Sequence, residues 1–373
     1  MLINCSLVLN HKINSKHKFE LIEVHNRPSY IHRLIKKEIN SKLVLIFHNN
    51  PLNLGGSKSI EERNILIDKC EKLIFVSNWV KEKFFKDLDR RDNANCIVIY
   101  PSIETLKKFP VKQNVISFVG KLNRSKGFHL FGNVIIKILN KYKNWKSIVV
   151  GDEPREKYNF RHKNLKYVGW ISHEKTLKLY NLTSISVAPS FWEEPFGRTS
   201  MEAASRGCAT IISKKGGLVE TIPDALYLGD LTVKTLFNKI EYLIKNKKKR
   251  INLQKKSYQN VLHRLEANSK KIDAYRNEIL NTINFPSIKK NKYKIIHISN
   301  FGNRLFNRLY FISIAKKISN ALIRLGHDVL NISDRDTIRF NRNISGKSGI
   351  NYLNKLFVET VRNYSPDLIV LGH

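Results

Sequence analysis

Acidic side chains are scarce in this sequence: 31 Asp and Glu stand against 66 Lys and Arg, a formal charge of +35 at pH 7. A field of that sign gathers polyanions, which raises nucleic acid and anionic membrane as partners. The lysines are nevertheless spread among many Asn and Ile residues, which fits a compositional bias better than a dedicated binding stretch. Cysteine is sparse as well. Cys5, Cys70, Cys96 and Cys208 lie far apart, without the paired spacing of a zinc site or the setting of a disulfide framework. Reduced thiols in a cytoplasmic protein are the expectation. Long apolar runs are missing too: "LVLIF" at 43 to 47 is among the longest, against the roughly 20 residues a membrane helix needs. The opening "MLINCSLVLNHKIN" has neither the charged region nor the apolar segment of a signal peptide.

What is present is a regular alternation. Short β-rich apolar runs take turns with longer helical patterns, which argues for α/β architecture with doubly wound parallel sheets. The middle of the chain shows one complete set: "VISFVG", a helix over 126 to 142, "SIVVGD", "LKYVGW", a helix over 173 to 181, "SISVAPS", a further helix and "ATIIS". Residues 1–105 carry a shorter, incomplete series with "FELIEVHN", "KLVLIFHNN", "KLIFVSNWV" and "CIVIYPS". Residues 106 to 114 read as a linker. The second domain runs over 106–283 and ends in helices. From 284–373 a second linker leads to a third, partial α/β unit with "KIIHISNFG", an amphipathic helix using Leu309, Ile312, Ala315, Leu322 and Leu325, and a last strand in "DLIVLGH". At 373 residues with 42% hydrophobic content, two domains and part of a third are affordable. The densest basic run, 244 to 256, falls in a helical region. It reads as a solvated face, with contact to an anionic membrane as the alternative.

Chemistry collects at the strand ends, where open α/β sheets bind ligands. Lys121 follows Gly120 at the end of "VISFVG", and Lys126 stands at the next helix start. Two ammonium groups there neutralise a diphosphate or belong to an ordinary solvated loop. In "SFWEEPFGRTSMEAASRG", Pro195 and Gly197 make a turn, Thr199 or Ser200 caps a helix, and Gly207 ends it. Glu194 then lies on the loop and Glu202 early in the helix. Both carboxylates are suited to accepting bonds from vicinal hydroxyls, with backbone N–H groups from Phe196 to Thr199 facing an anion between them. The plain alternative is a helix start with two exposed acids.

Together, "FVGKLNRSKG", "VGWISHEKTLKLY", "EEPFGRTSMEAASRG" and "KKGGLVETI" resemble the retaining GT-B glycosyltransferases of family 4, over about residues 18–282. The resemblance implies that Glu194 contacts the donor sugar and Glu202 the ribose hydroxyls. It implies that Lys121 and Lys126 hold the diphosphate, Lys121 replacing an arginine and so losing its bidentate fork. Gly120, Phe196, Gly197, Arg198 and Thr199 border the donor, the backbone near Trp170 meets the base, and Gly216 and Gly217 line the cleft. His48 points at the sugar, and His25 is a weaker candidate. A nucleotide-diphosphate sugar is the implied co-substrate, with no metal and no other cofactor.

The family's opening glycine-rich strand–loop is not found before residue 18. The tail resembles that half, and most of all the start of a second glycosyltransferase of the spore-maturation type. A tandem pair cut at both ends accounts for this better than circular permutation, which leaves one strand too many. The expected acceptor is a glycan or a lipid-linked sugar at the inner face of the membrane. Two other readings stand beside it. One uses the same cleft on a sugar phosphate, as synthases and phosphorylases do. The other is a basic nucleic-acid binder, which calls for aromatics interleaved with the lysines; only Tyr258 lies near the run, so no nucleic acid is expected.

Overall fold

The computed structural model describes residues 21–38, 41–89, 94–103, 106–281, 292–302, 314–342 and 348–371. Cys5, Leu309, Ile312 and most of the second linker lie outside them. The chain divides into two compact units, one of residues 26–29 and 43–279, the other of 1–25, 30–42 and 280–373.

Strand β1 (Leu21–His25) and helix α1 (Pro28–Lys36) open the described chain. In the larger unit, β2 (Lys42–Phe47), β3 (Lys72–Phe75) and β4 (Cys96–Val98) run parallel. Helices α2 (Ile60–Lys69) and α3 (Asn78–Phe85) connect them. Each helix starts where the sequence supplies a cap. Ser59 and Glu62 close a reciprocal capping box on α2, and Ser77 Oγ accepts from Val80 N–H on α3. Three buried rings tie the layer together: Phe47 stacks on Phe75 at 5.4 Å, and Phe84 from α3 tilts against both at 5.3 and 5.2 Å.

The same unit holds a six-stranded sheet: β5 (Gln113–Val119), β6 (Lys146–Val150), β7 (Leu165–Gly169), β8 (Thr183–Ala188), β9 (Ala209–Ser213) and β10 (Leu226–Leu228). All pairings are parallel, in the order β10-β9-β8-β5-β6-β7. The chain builds outward from β5 to β7, then returns to β8 on the other side. The crevice beyond the carboxyl ends of β5 and β8 is therefore the topological switch point. Helix α4 (Phe128–Lys141) packs Phe128, Phe131, Val134, Ile135 and Ile138 onto Ile116, Phe118 and Val149. Helices α5 (His173–Leu182), α6 (Arg198–Ser205), α7 (Leu218–Thr221), α8 (Val233–Lys245) and α9 (Lys247–Asn281) complete the unit. The second domain does not end in helices alone, since the three-residue β10 comes before α8. One strand residue more or less leaves no period to count.

The basic run spans the end of α8 and the start of α9. Its lysines at 245, 247–249, 255 and 256 are exposed, but Arg250 is buried. Its guanidinium donates to the carbonyls of Leu243 at 2.5 Å and Ile244 at 3.2 Å and lies over the Trp145 ring at 5.0 Å. That arginine caps the last turn of α8 rather than facing solvent.

The smaller unit contains a parallel sheet ordered β12-β11-β13, formed by β11 (Lys294–Ser299), β12 (Asp328–Ser333) and β13 (Leu368–Leu371). Helices α10 (Ile314–Arg324), α11 (Asp334–Phe340) and α12 (Ser348–Tyr364) lie between these strands in sequence. Ile296, Ile298, Ile332, Ile338, Leu353 and Phe357 form its core. Leu325, expected on the apolar face of α10, lies beyond the helix end and is 69% exposed, because the helix stops at Arg324 before a turn at Gly326.

Candidate functional site

Two loops meet at the switch point. Beyond β5, Gly120 N–H donates to Val150 O at 3.0 Å, and Lys121 is exposed. Asn123 folds the next turn: its side-chain oxygen accepts from Lys126 N–H at 3.0 Å and its carbonyl from Phe128 N–H at 3.1 Å. Gly127 then starts α4 with φ of 74°. A Cβ there would sit 1.9 Å from Pro189 O, so only glycine lets this loop touch the one after β8. The contact is reinforced by Phe191 and Trp192, whose N–H groups both donate to Ser125 O at 2.9 and 3.0 Å.

This joining of loops brings Lys126 to Glu194. Lys126 Nζ lies 2.5 Å from Glu194 Oε1, and Ser190 Oγ donates to the same oxygen at 3.0 Å. The carboxylate is mostly buried, 14% exposed against 32% for the lysine. Its backbone is fixed from the other side. Glu194 forms a parallel bridge with Gly216, and its carbonyl accepts from Gly217 N–H at 2.7 Å. The glycine pair is thereby placed against the glutamate.

Helix α6 begins two or three residues earlier than the sequence suggests. Its N-cap is Gly197, with φ of 93° and no side-chain cap, and not Thr199 or Ser200, which lie inside the first turn. That left-handed φ favours glycine, and a side chain at 197 would also have to displace Leu218 Cδ1. The cap residue offers no side-chain bond to the first turn's N–H groups. Arg198 is exposed, while Thr199 O accepts from Tyr180 Oη at 3.2 Å. Phe196 is buried and stacks on Tyr100 at 5.6 Å, so its side chain belongs to the core and only its backbone is available to a ligand.

Glu202, on the second turn of α6, is buried, and its Oε1 lies 3.0 Å from His173 Nε2. His173 is the first residue of α5, set there by the Ser172 cap, whose Oγ accepts from Lys175 N–H. The sequence reading passed over it. The signal available was a histidine directly after a capping serine in "GWISHE". Trp170 is half-buried just beyond β7.

His48 ends β2 with an exposed side chain. Its N–H and that of Asn49 both donate to Asn26 Oδ1 at 3.1 Å. His25 is exposed at the end of β1. Glu220 was also unread. Its carboxylate accepts from Asn78 N–H at 2.7 Å, Trp79 N–H at 2.8 Å and Tyr100 Oη at 2.9 Å. Beside it Ser77 Oγ donates to Pro195 O at 2.6 Å, which ties the first turn of α3 to the Glu194 loop. Among the described residues, no group of three or more His, Cys, Asp or Glu is arranged to hold a metal ion, and no helix is long and apolar enough to cross a membrane.

The comparisons with known proteins fall on this region. Residues 102–260 match the family described as "Glycosyl transferases group 1". YtcC of Bacillus subtilis, which carries a glycosyltransferase name, is 25% identical over 55% of this chain and 58% of its own. The lipopolysaccharide 1,2-N-acetylglucosaminetransferase of Salmonella typhimurium is 25% identical over 67% of this chain and 72% of its own. Among solved structures, Anabaena HepE in complex with UDP and glucose superposes with a TM-score of 0.59 at 16% identity, over 75% of this chain and 81% of that one. The chain spans about three fifths of the length of the first curated relatives it matches, 58% and 63%. Residues 102–260 thus resemble a glycosyl transferases group 1 domain, and the α/β fold with parallel sheets is of the GT-B kind.

Proposed function

We propose that this chain is a retaining glycosyltransferase of family 4, moving a sugar from a nucleoside diphosphate to a glycan or lipid-linked acceptor. The observation that carries the reading is the Lys126–Glu194 pair at 2.5 Å, held between the two switch-point loops. Charge develops on the diphosphate as the glycosidic bond breaks. Lys126, Lys121 and the first-turn N–H groups of α6 are the donors that meet it on this reading. Glu194 takes the sugar, and its present partner Lys126 then gains a second anion. Glu202 accepts from the ribose hydroxyls, oriented by His173. Gly120, Gly216 and Gly217 line the cleft, Phe196 to Thr199 contribute backbone, Trp170 lies toward the base, and His48 toward the sugar.

Retention follows when the leaving phosphate itself receives the acceptor proton on the face it departs from. No carboxylate then acts as nucleophile, and the paired-carboxylate scheme of glycosidases is not needed. The chemistry calls for no metal or other cofactor. Residues 284–373 are proposed as the start of a second transferase domain of the spore-maturation type, and the exposed lysines of α9 as a contact for anionic membrane at the cytoplasmic face. Support for a nucleotide sugar comes from the UDP and glucose bound in HepE and from the sugar transferred by the Salmonella relative.

The test is thermal stabilisation of the full chain by UDP-, GDP- and ADP-glucose against a single-stranded oligonucleotide, since a ligand of the folded state raises its apparent stability. One nucleotide sugar should raise the melting temperature and the oligonucleotide should not. Stabilisation by the oligonucleotide alone overturns the proposal. Glu194→Ala should abolish transfer while leaving the melting temperature of the free chain within a few degrees.

A further inference from the structure

We infer that Lys112 is a positioning residue, holding Glu202 in register with His173 from the opposite ends of the two helices that carry them; this rests on the transferase reading above. The lysines at 245 and 247–249 leave their ammonium groups in water, as lysines ordinarily do. Lys112 does not. Standing just before β5, it donates from Nζ to Tyr180 O at 2.8 Å and to Arg206 O at 2.5 Å, with Cys208 Sγ 3.9 Å away. Burial pulls the pKa of this ammonium below its ordinary 10.5. A charge taken out of water is unfavourable unless it is hydrogen-bonded, so the partners it finds are what keep it there.

Those partners are helix ends. Tyr180 lies in the last turn of α5, and Arg206 is the C-cap of α6. The last carbonyls of a helix lack intrahelical donors and carry the negative end of its dipole, so a cation there is favoured. One ammonium thus serves two helix termini and ties them to each other. Tyr180 fastens the pair again further along, because its Oη donates to Thr199 O at 3.2 Å while Leu177, Tyr180, Ala203 and Cys208 pack as one buried cluster.

The other ends of the same helices carry the proposed ribose site. His173 is the first residue of α5, Glu202 is on the second turn of α6, and the two side chains meet at 3.0 Å. With 10 residues, α5 is a rod roughly 15 Å long. Loosening it at Lys112 tilts it at His173. A hydrogen bond weakens steeply with misalignment, and a site is only as exact as the elements that hold it, so the tilt reaches the carboxylate that accepts from the ribose.

Isothermal titration calorimetry of the full chain with UDP, GDP and ADP, and with the 2′,3′-dideoxy form of whichever binds, tests this. Lys112→Met keeps the length of the side chain and removes its donors. It should weaken the nucleotide by about tenfold, the loss of one hydrogen bond to a charged group, and leave the dideoxynucleotide within about twofold. In the double variant with His173→Gln the loss should stay near tenfold rather than multiply to about a hundredfold, because both changes act on one carboxylate. Equal loss for nucleotide and dideoxynucleotide, no loss, or full multiplication in the double variant each overturns the inference and leaves Lys112 as a helix cap. Should Lys112→Met fail to fold, Lys112→Gln, which keeps a donor for one carbonyl, is read by the same contrast. If the wild-type chain binds none of the three nucleotides, the transferase reading falls and takes this inference with it. If it binds one and the Lys112 variants discriminate nothing, the inference falls alone.

Discussion

At the scale of single residues, the site depends on atoms that are missing as much as on those present. Gly127 has no Cβ, so the Lys126 loop rests on Pro189 O, and the ammonium of Lys126 arrives at Glu194. Gly127→Ala should push the loops apart, weaken nucleotide stabilisation several-fold and cost about 1–3 kcal/mol in denaturant unfolding, from strain at positive φ together with the clash. A variant that melts and binds like wild type would remove this contact from the account. On the proposed reading, His173 acts through Glu202, 3.0 Å away. His173→Gln should weaken UDP, GDP or ADP, whichever binds, by about tenfold, the loss of one good hydrogen bond to a charged group. It should leave the corresponding 2′,3′-dideoxynucleotide unchanged. Equal loss for both nucleotides would mean that His173 serves the fold and not the ribose.

At the scale of elements, the Glu220 carboxylate occupies the amino terminus of α3. It takes two helix N–H groups and a tyrosine hydroxyl, charge-assisted bonds placed where the helix dipole favours an anion. Glu220→Gln keeps the shape and removes the charge. It should lower unfolding free energy by about 1–2 kcal/mol and loosen the register of α3 against the Glu194 loop. Urea titration followed by tryptophan fluorescence reads this directly, because Trp79 sits on α3. The elements themselves were largely legible in the sequence. The strands β5, β6 and β8 and the helices α4 and α5 carry apolar periods strong enough to locate, and the glycines fix the turns between them. The start of α6 differs from expectation because a capping Thr or Ser is the usual helix signal, whereas here the backbone turns at a φ of 93°, which favours glycine at the cap. Glu194, Glu202 and Lys126 were readable from spacing and resemblance. His173 and Glu220 were not, since their partners are 29 residues away and more than 100 residues away, and spacing along a chain carries no record of such contacts.

At the scale of the whole molecule, two cores of different chemistry predict different responses to acid. In the smaller unit, His297 sits in the central strand β11 with its side chain fully buried, neither ring nitrogen hydrogen-bonded, and its edge against Phe301 at 5.1 Å. Burial pulls its pKa down to about 4 from an ordinary 6.5. The unfolded chain therefore binds a proton between those values that the folded unit refuses, so stability is full above about pH 6.5 and falls as the pH drops toward 4. Going from neutrality to pH 5 should cost this unit about 2 kcal/mol. Asp334, whose carboxyl burial pushes up, works in the opposite direction and offsets part of that loss. Pulse proteolysis at pH 7 and pH 5, with cut sites mapped by mass spectrometry, should show cleavage within residues 294–371 rising at the lower pH. His297→Leu, which keeps an apolar side chain and removes the titration, should flatten that rise. Acid-enhanced cleavage that persists in His297→Leu would assign the effect to another group and leave His297 as packing alone.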